Sequence, residues 1–121
     1  MANEIETRST DGILTIRMNR PEKKNALTAA MYQAIADALD EARGAEDIRV
    51  VLLLGAPGVF TSGNDIGDFL QIAMSGTRNS NAVFEFLERI IVFEKPLVAG
   101  VDGLAIGVGT TMLLHCDHVI A

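Results

Sequence analysis

Phe60-Thr61-Ser62-Gly63-Asn64-Asp65-Ile66 lies behind the apolar run Val50-Val51-Leu52-Leu53-Leu54 and opens onto a helical pattern. Gly103-Leu104-Ala105-Ile106-Gly107-Val108-Gly109 repeats the arrangement behind Leu97-Val98-Ala99-Gly100-Val101. Strands alternating with helices predict parallel pairing and an α/β fold. A turn between a strand and a helix start also leaves backbone N–H groups without intrahelical partners. Two such turns at the carboxyl ends of neighbouring strands mark the ligand crevice of an open α/β sheet.

Working outward, Ile5 to Met18 reads as a hairpin. Leu14, Ile16 and Met18 alternate with Ile13, Thr15 and Arg17, and Asp11-Gly12 is a turn signal. Asn19 to Asn25 is polar and contains Pro21, so it reads as a loop. Thr28 is placed to cap a helix running to about Arg43, stopped by Gly44, with Met31, Ile35, Leu39 and Ala42 inward. The continuous apolar run Val50–Leu54 predicts a strand covered on both faces. Helices follow over Asp65–Met74 and Ala82–Phe93, separated by a polar, mobile loop over Ser75–Asn81. Val83, Phe86, Leu87, Ile90 and Phe93 are expected to face inward. Leu97–Val101 is the next buried strand, a helix then runs through Leu114, and Cys116–Ala121 reads as a strand.

The 121 residues, 49% hydrophobic, are one domain or part of one, with enough apolar content for a core. A net charge of −6 argues against nucleic acid or an anionic membrane surface as the main partner. The single cysteine, Cys116, permits no internal disulfide and fits a reducing compartment. No signal-peptide pattern opens the chain and no apolar stretch is long enough for a bilayer, so the expected location is cytoplasmic. Because an apolar strand ends the sequence with nothing to cover it, residues beyond Ala121 are expected.

In the first turn Gly63 leaves room for an approaching ligand and Asn64 offers the next N–H. In the second, Gly107 and Gly109 flank Val108, whose N–H is exposed in the same way. Two donors converging on one carbonyl oxygen make an oxyanion hole. Either turn alone reads equally as a tight strand-to-helix turn. Gly107-Val108-Gly109-Thr110-Thr111-Met112 has Met112 where a dinucleotide fingerprint needs glycine, and Gly55-Ala56-Pro57-Gly58 leads to no Gly-Lys-Ser/Thr. Both nucleotide readings fail.

Three motifs occur in order: Asn19-Arg20-Pro21-x-x-x-Asn25-Ala26-Leu27, Phe60 to Ile66, and Gly103 to Gly109 continuing through Leu114-His115-Cys116-Asp117. Together they resemble the crotonase (enoyl-CoA hydratase/isomerase) superfamily over nearly the whole chain. The resemblance implies a ββα superhelix, of which residues 1–121 would form the N-terminal part of the spiral domain. It also implies an acyl-CoA thioester as partner, with coenzyme A as part of the substrate and no separate cofactor. A role in fatty acid metabolism and assembly as a homotrimer or dimer of trimers follow from the same resemblance. The oxyanion donors would be the backbone N–H groups of Asn64 and Val108. Lys24, Ala26, Ser62, Gly63, Asp65, Ile66 and Gly107 would line the substrate path. Lys24 would pair there with a CoA phosphate; read on its own, it is equally a solvated loop lysine beside Lys23 and Arg20.

The pattern breaks at Thr111, which stands where hydratases of this superfamily carry one of two glutamates. Threonine cannot serve as a carboxylate base. Isomerases that convert 3-enoyl-CoA to 2-enoyl-CoA can work with one carboxylate from a later position, here beyond Ala121. The expected activity is therefore isomerisation through an enolate, with the 121 residues alone inactive. Hydration, thioester hydrolysis or another lyase reaction is the enzymatic alternative, and a non-catalytic acyl-CoA-binding protein the other. His115 and His118 read as helix-end or surface residues rather than metal ligands, so no metal is expected. Cys116 reads as a small buried hydrophobe, Asp65 as a helix cap and Asp102 as part of an Asp-Gly turn. Phe84, Phe86 and Phe93 are expected in the core, and Asp37, Asp40 and Glu41 on a solvated helix face.

Overall fold

The computed structural model describes residues 4–75 and 81–121. Strands β1 (Ile5–Thr10) and β2 (Ile13–Met18) form the expected hairpin, followed by a 3-10 turn at Pro21–Lys23 and helix α1 (Ala29–Gly44). Then come β3 (Val50–Leu54), β4 (Val59–Thr61), α2 (Ile66–Ser75) and α3 (Asn81–Val92). The chain continues through β5 (Leu97–Gly100), β6 (Leu104–Ala105), α4 (Val108–Leu113) and β7 (His118–Ile120). The main sheet has the order β1-β2-β3-β5-β7, antiparallel only at β1–β2. A separate parallel pair, β4–β6, stands apart from it.

Alternation in β2 decides which face is covered. Leu14, Ile16 and Met18 are buried, and register carries the same face through Val51 and Leu53 to Leu97 and Ala99. Helices α1 and α3 pack on that face, bringing Met31, Tyr32, Ile35, Leu39, Phe86 and Ile90 into one core. Fully burying each large apolar side chain contributes about 1.5–3 kcal/mol. The opposite face differs from expectation: Val50, Leu52 and Leu54 are only half-buried, so β3 is covered on one face by the described residues.

Helix α1 starts as its sequence dictates, with the Thr28 hydroxyl accepting from Met31 N–H at 3.1 Å. Its end is less local. Gly44 belongs to the helix and Ala45 is the C-cap. The decisive partner is Lys95, far along the chain, whose ammonium donates to the carbonyls of Ala42, Ala45 and Ile48 at 2.6, 2.7 and 2.7 Å. A cation at a helix C-terminus satisfies orphan carbonyls and complements the dipole. Lys95→Met keeps the aliphatic stem and removes only the donors. It is expected to cost about 1.5–3 kcal/mol in urea unfolding; a loss below about 0.5 kcal/mol would mean water replaces the ammonium.

Two further expectations are corrected. Phe84 is 66% exposed, because it lies on the outer side of α3 while Phe86 points inward and Phe93 is partly buried. Asp40 is not merely solvated: it pairs with Arg89 at 3.0 Å and ties α1 to α3. Of the loop expected over Ser75–Asn81, Ser75 instead ends α2 and Asn81 begins α3, and residues 76–80 lie outside the described residues.

Candidate active site

The two glycine turns meet because each carries a short strand that the sequence reading folded into the turn. Val59 of β4 stands opposite Leu104 of β6, and Thr61 opposite Ala105, in parallel. Ile106 N–H donates to Thr61 O at 3.0 Å and extends the pairing towards the glycines. Gly63 has φ +99°, and a Cβ there would lie 3.2 Å from Ile106 O. Gly107 has φ 60° and ψ −122°, a conformation open essentially to glycine alone. Glycine at position 63 is therefore required by its backbone and by the close approach of the second turn, and at position 107 by its backbone conformation.

Hydrogen bonds around Asn64 leave one donor over. Gly63 N–H is taken by the Thr61 hydroxyl at 3.1 Å, and Asp65 N–H by Leu27 O at 2.8 Å. Asn64 N–H between them has no acceptor among the described residues. On the second turn, Gly109 N–H donates to Ile106 O at 2.9 Å, and the amides of Thr110 and Thr111 reach Gly107 O. Val108, the first residue of α4, is left with its N–H unpartnered among the described residues. Among the described residues, Asn64 N–H in the first turn and Val108 N–H in the second are thus free amides, as is Gly107 N–H beside Val108.

The loop after β2 clamps the first turn in place. Lys24 and Asn25 both have left-handed backbones, φ 52° and 54°. Asparagine tolerates this conformation better than most residues, lysine less so. Asn25 is fully buried, its amide nitrogen donating to Met18 O at 3.1 Å and Phe60 O at 3.0 Å. Its amide oxygen accepts from Arg20 N–H at 2.6 Å, and its carbonyl accepts from the Thr61 hydroxyl at 2.6 Å. Lys24 O in turn accepts from Ser62 N–H at 3.1 Å, and Gly63 O from Leu27 N–H at 2.8 Å.

Backbone hydrogen bonds thus tie Ser62 to Lys24, and Gly63 and Asp65 to Leu27, next to Ala26, while Gly107 faces Gly63 across the gap between the turns. Lys24 is exposed, Ala26 and Ser62 are half-buried, and Ile66 is 80% exposed at the start of α2. Thr111 is exposed, one turn along α4 from Val108, and its hydroxyl donates to Gly107 O at 3.3 Å. A hollow of about 360 Å³ at the ends of β3 and β5 is lined by Arg17, Gly55 and Asp102, not by Asn64 or Val108. Asp102 there accepts from Gly58 N–H at 3.1 Å, linking two turns instead of serving its own.

The two carboxylates nearest the first turn are already engaged. Asp65 caps α2 through Asp68 N–H at 2.9 Å and pairs with Arg20 at 2.6 Å. The backbone bond from Asp68, then the Arg20 guanidinium, hold its pKa below the usual carboxylate range. Asp68 accepts from Ala29 N–H at 2.9 Å. A base works best with a pKa near the operating pH, so Asp65 is a poor one. Cys116 is half-buried, and burial, then the neighbouring Asp117, push its thiol up to about 11. His115 and His118 are exposed, and no cluster of three or more potential metal ligands occurs among the described residues.

Three residues escaped the sequence reading. Asn25 and Arg20 were visible only as parts of a motif, and Tyr32 gave no signal beyond its place on the apolar face of α1. A tyrosine on a buried face needs an acceptor for its hydroxyl. Here that acceptor is Asn64 Oδ1.

Comparison with known proteins identifies the family. The profile of the family described as enoyl-CoA hydratase/isomerase matches residues 8–121. The chain belongs to that family. It is 41% identical to human enoyl-CoA delta isomerase 2 over 118 residues, covering 93% of this chain and 30% of the relative. It is 31% identical to the 2,3-dehydroadipyl-CoA hydratase of Escherichia coli strain K12, over 90% of this chain and 42% of that one. An enoyl-CoA hydratase/isomerase structure from Pseudoalteromonas atlantica T6c superposes with TM-score 0.86 and 44% identity, covering 97% of this chain and 45% of the other. The family member described here thus has the crotonase fold and spans less than half the length of these three relatives. No helix among its described residues is long and apolar enough to cross a membrane.

Proposed function

We propose that the protein moves the double bond of a 3-enoyl-CoA to the 2-position, holding the thioester oxygen between Asn64 N–H and Val108 N–H. The observation that carries this reading is that Asn64 N–H and Val108 N–H, unpartnered among the described residues, lie on two turns brought together by β4–β6. Removal of a proton from C2 sends charge onto the thioester oxygen, where two fixed donors stabilise it by several kcal/mol. Return of the proton at C4 completes the shift with no net change of atoms. The carboxylate that carries the proton comes from outside residues 1–121, because Thr111 has none and Asp65 and Asp68 are committed to the fold. On this reading the 121 residues alone are inactive.

Lys24, exposed beside Ser62, meets a phosphate of coenzyme A, and no further cofactor is used. Ala26, Ser62, Gly63, Asp65, Ile66 and Gly107 line the substrate path. The assembly is a trimer or dimer of trimers in the cytoplasm. Thr111 supports isomerisation over hydration, since positioning water calls for a second carboxylate. The intact protein is expected to convert trans-3-hexenoyl-CoA to the 2-enoyl isomer and to hydrate trans-2-hexenoyl-CoA slowly or not at all. Fast hydration without isomerisation would overturn the assignment. Thr111 also favours a second reading, acyl-CoA binding without chemistry, which tight binding and no turnover of either compound would establish.

A further inference from the structure

Tyr32 lies on α1, outside the two turns of the site, yet it is fully buried and reaches the first turn. Its ring packs edge-on against Phe69 of α2, centroids 6.2 Å apart, and at 5.3 Å against Phe86 of α3. Three helices therefore determine where its hydroxyl sits. That hydroxyl donates to Asn64 Oδ1, while Asn64 itself is exposed at the edge of the crevice. Burial raises the phenol pKa, so the group remains a neutral donor at physiological pH.

The peptides flanking Asn64 are pinned to Leu27 through Gly63 O and Asp65 N–H, and Tyr32 adds a second anchor through the Asn64 side chain. We infer that Tyr32 is a positioning residue: by anchoring the Asn64 side chain to the helical core, it holds the first turn, and the Asn64 N–H with it, in place against the substrate carbonyl. This inference rests on the oxyanion reading above. Preorganised donors stabilise charge because they need not reorganise during reaction, and small misplacements in a site can cost up to about a hundredfold in rate. Phenylalanine at this position preserves the ring contacts and deletes only the anchor.

The test compares the intact protein with its Tyr32→Phe variant. One readout is turnover of trans-3-hexenoyl-CoA. The other is the infrared carbonyl stretch of bound butyryl-CoA labelled with carbon-13 at the thioester carbonyl, which needs no catalysis. Tyr32→Phe is expected to lower kcat by about 10–100-fold, leave KM within about twofold, and shrink the downshift of the carbonyl stretch. A downshift equal to wild type would overturn the role of Tyr32 while leaving the oxyanion hole standing. No downshift in the wild type would remove the oxyanion reading and this inference with it. Asn64→Ala cuts the same link from the other side and should shrink the downshift similarly, so a fold failure in one variant does not end the test. An unchanged stretch in Asn64→Ala would count against the anchor equally. In the double variant the two losses should not add.

Discussion

Asn25→Ala is expected to lose about 3–5 kcal/mol of stability in urea unfolding. The side chain is fully buried, and its removal strands the carbonyls of Met18 and Phe60 and the N–H of Arg20. Each buried group left without a partner costs about 1–3 kcal/mol. Alanine also fits the left-handed backbone at φ 54° worse than asparagine does, which adds about 1 kcal/mol. Opposing these losses is only the partial collapse of a small cavity. Asn25→Asp is a sharper probe, because a carboxylate keeps the acceptor for Arg20 N–H but faces two carbonyls it cannot donate to. Both variants should unfold at lower urea than wild type, and a loss under about 1 kcal/mol in Asn25→Ala would show that the loop is held by other contacts.

Gly63→Val is expected to lower kcat/KM for trans-3-hexenoyl-CoA by about 10²–10³-fold, the scale of losing one oxyanion donor. A Cβ at this position points at Ile106 O, 3.2 Å away, so the second turn must retreat. The backbone at φ +99° is strained for any side chain, adding about 1–3 kcal/mol of destabilisation. Stability and catalysis can be separated by assaying well below the unfolding midpoint. Gly107→Val provides the contrast: its Cβ would come no closer than 3.9 Å to Gly63 Cα, leaving backbone conformation as the main penalty. A folded Gly63→Val protein with wild-type kinetics would show that the substrate carbonyl does not enter between these turns.

Local patterns in the chain were enough for most elements. Alternation in Ile13–Met18, the Thr28 cap, the apolar run Val50–Leu54 and the helical spacing of Met31, Ile35 and Leu39 each act through neighbours a few residues away. The two turns were legible for the same reason, since Gly63 and Gly107 stand at strand-to-helix junctions where only special backbone angles serve. The errors share a cause. Phe84 differs from Phe86 by the side of α3 it occupies, and one face of β3 is only half-buried by the described residues although its composition suits two covered ones. Neither follows from apolar character alone, because burial depends on which elements arrive at a face.

By itself the sequence determined the alternation of strands and helices, the places of the turns, the threonine at position 111 and, through its motifs, the family. Only the tertiary structure decided that β4 pairs with β6, that Lys95 closes α1, that Asn25 holds both β2 and β4, and that Tyr32 reaches Asn64. Those contacts join residues far apart in the chain. Propensity and periodicity act over a turn or a strand, whereas hydrogen-bond satisfaction inside a core is settled only when distant elements pack together.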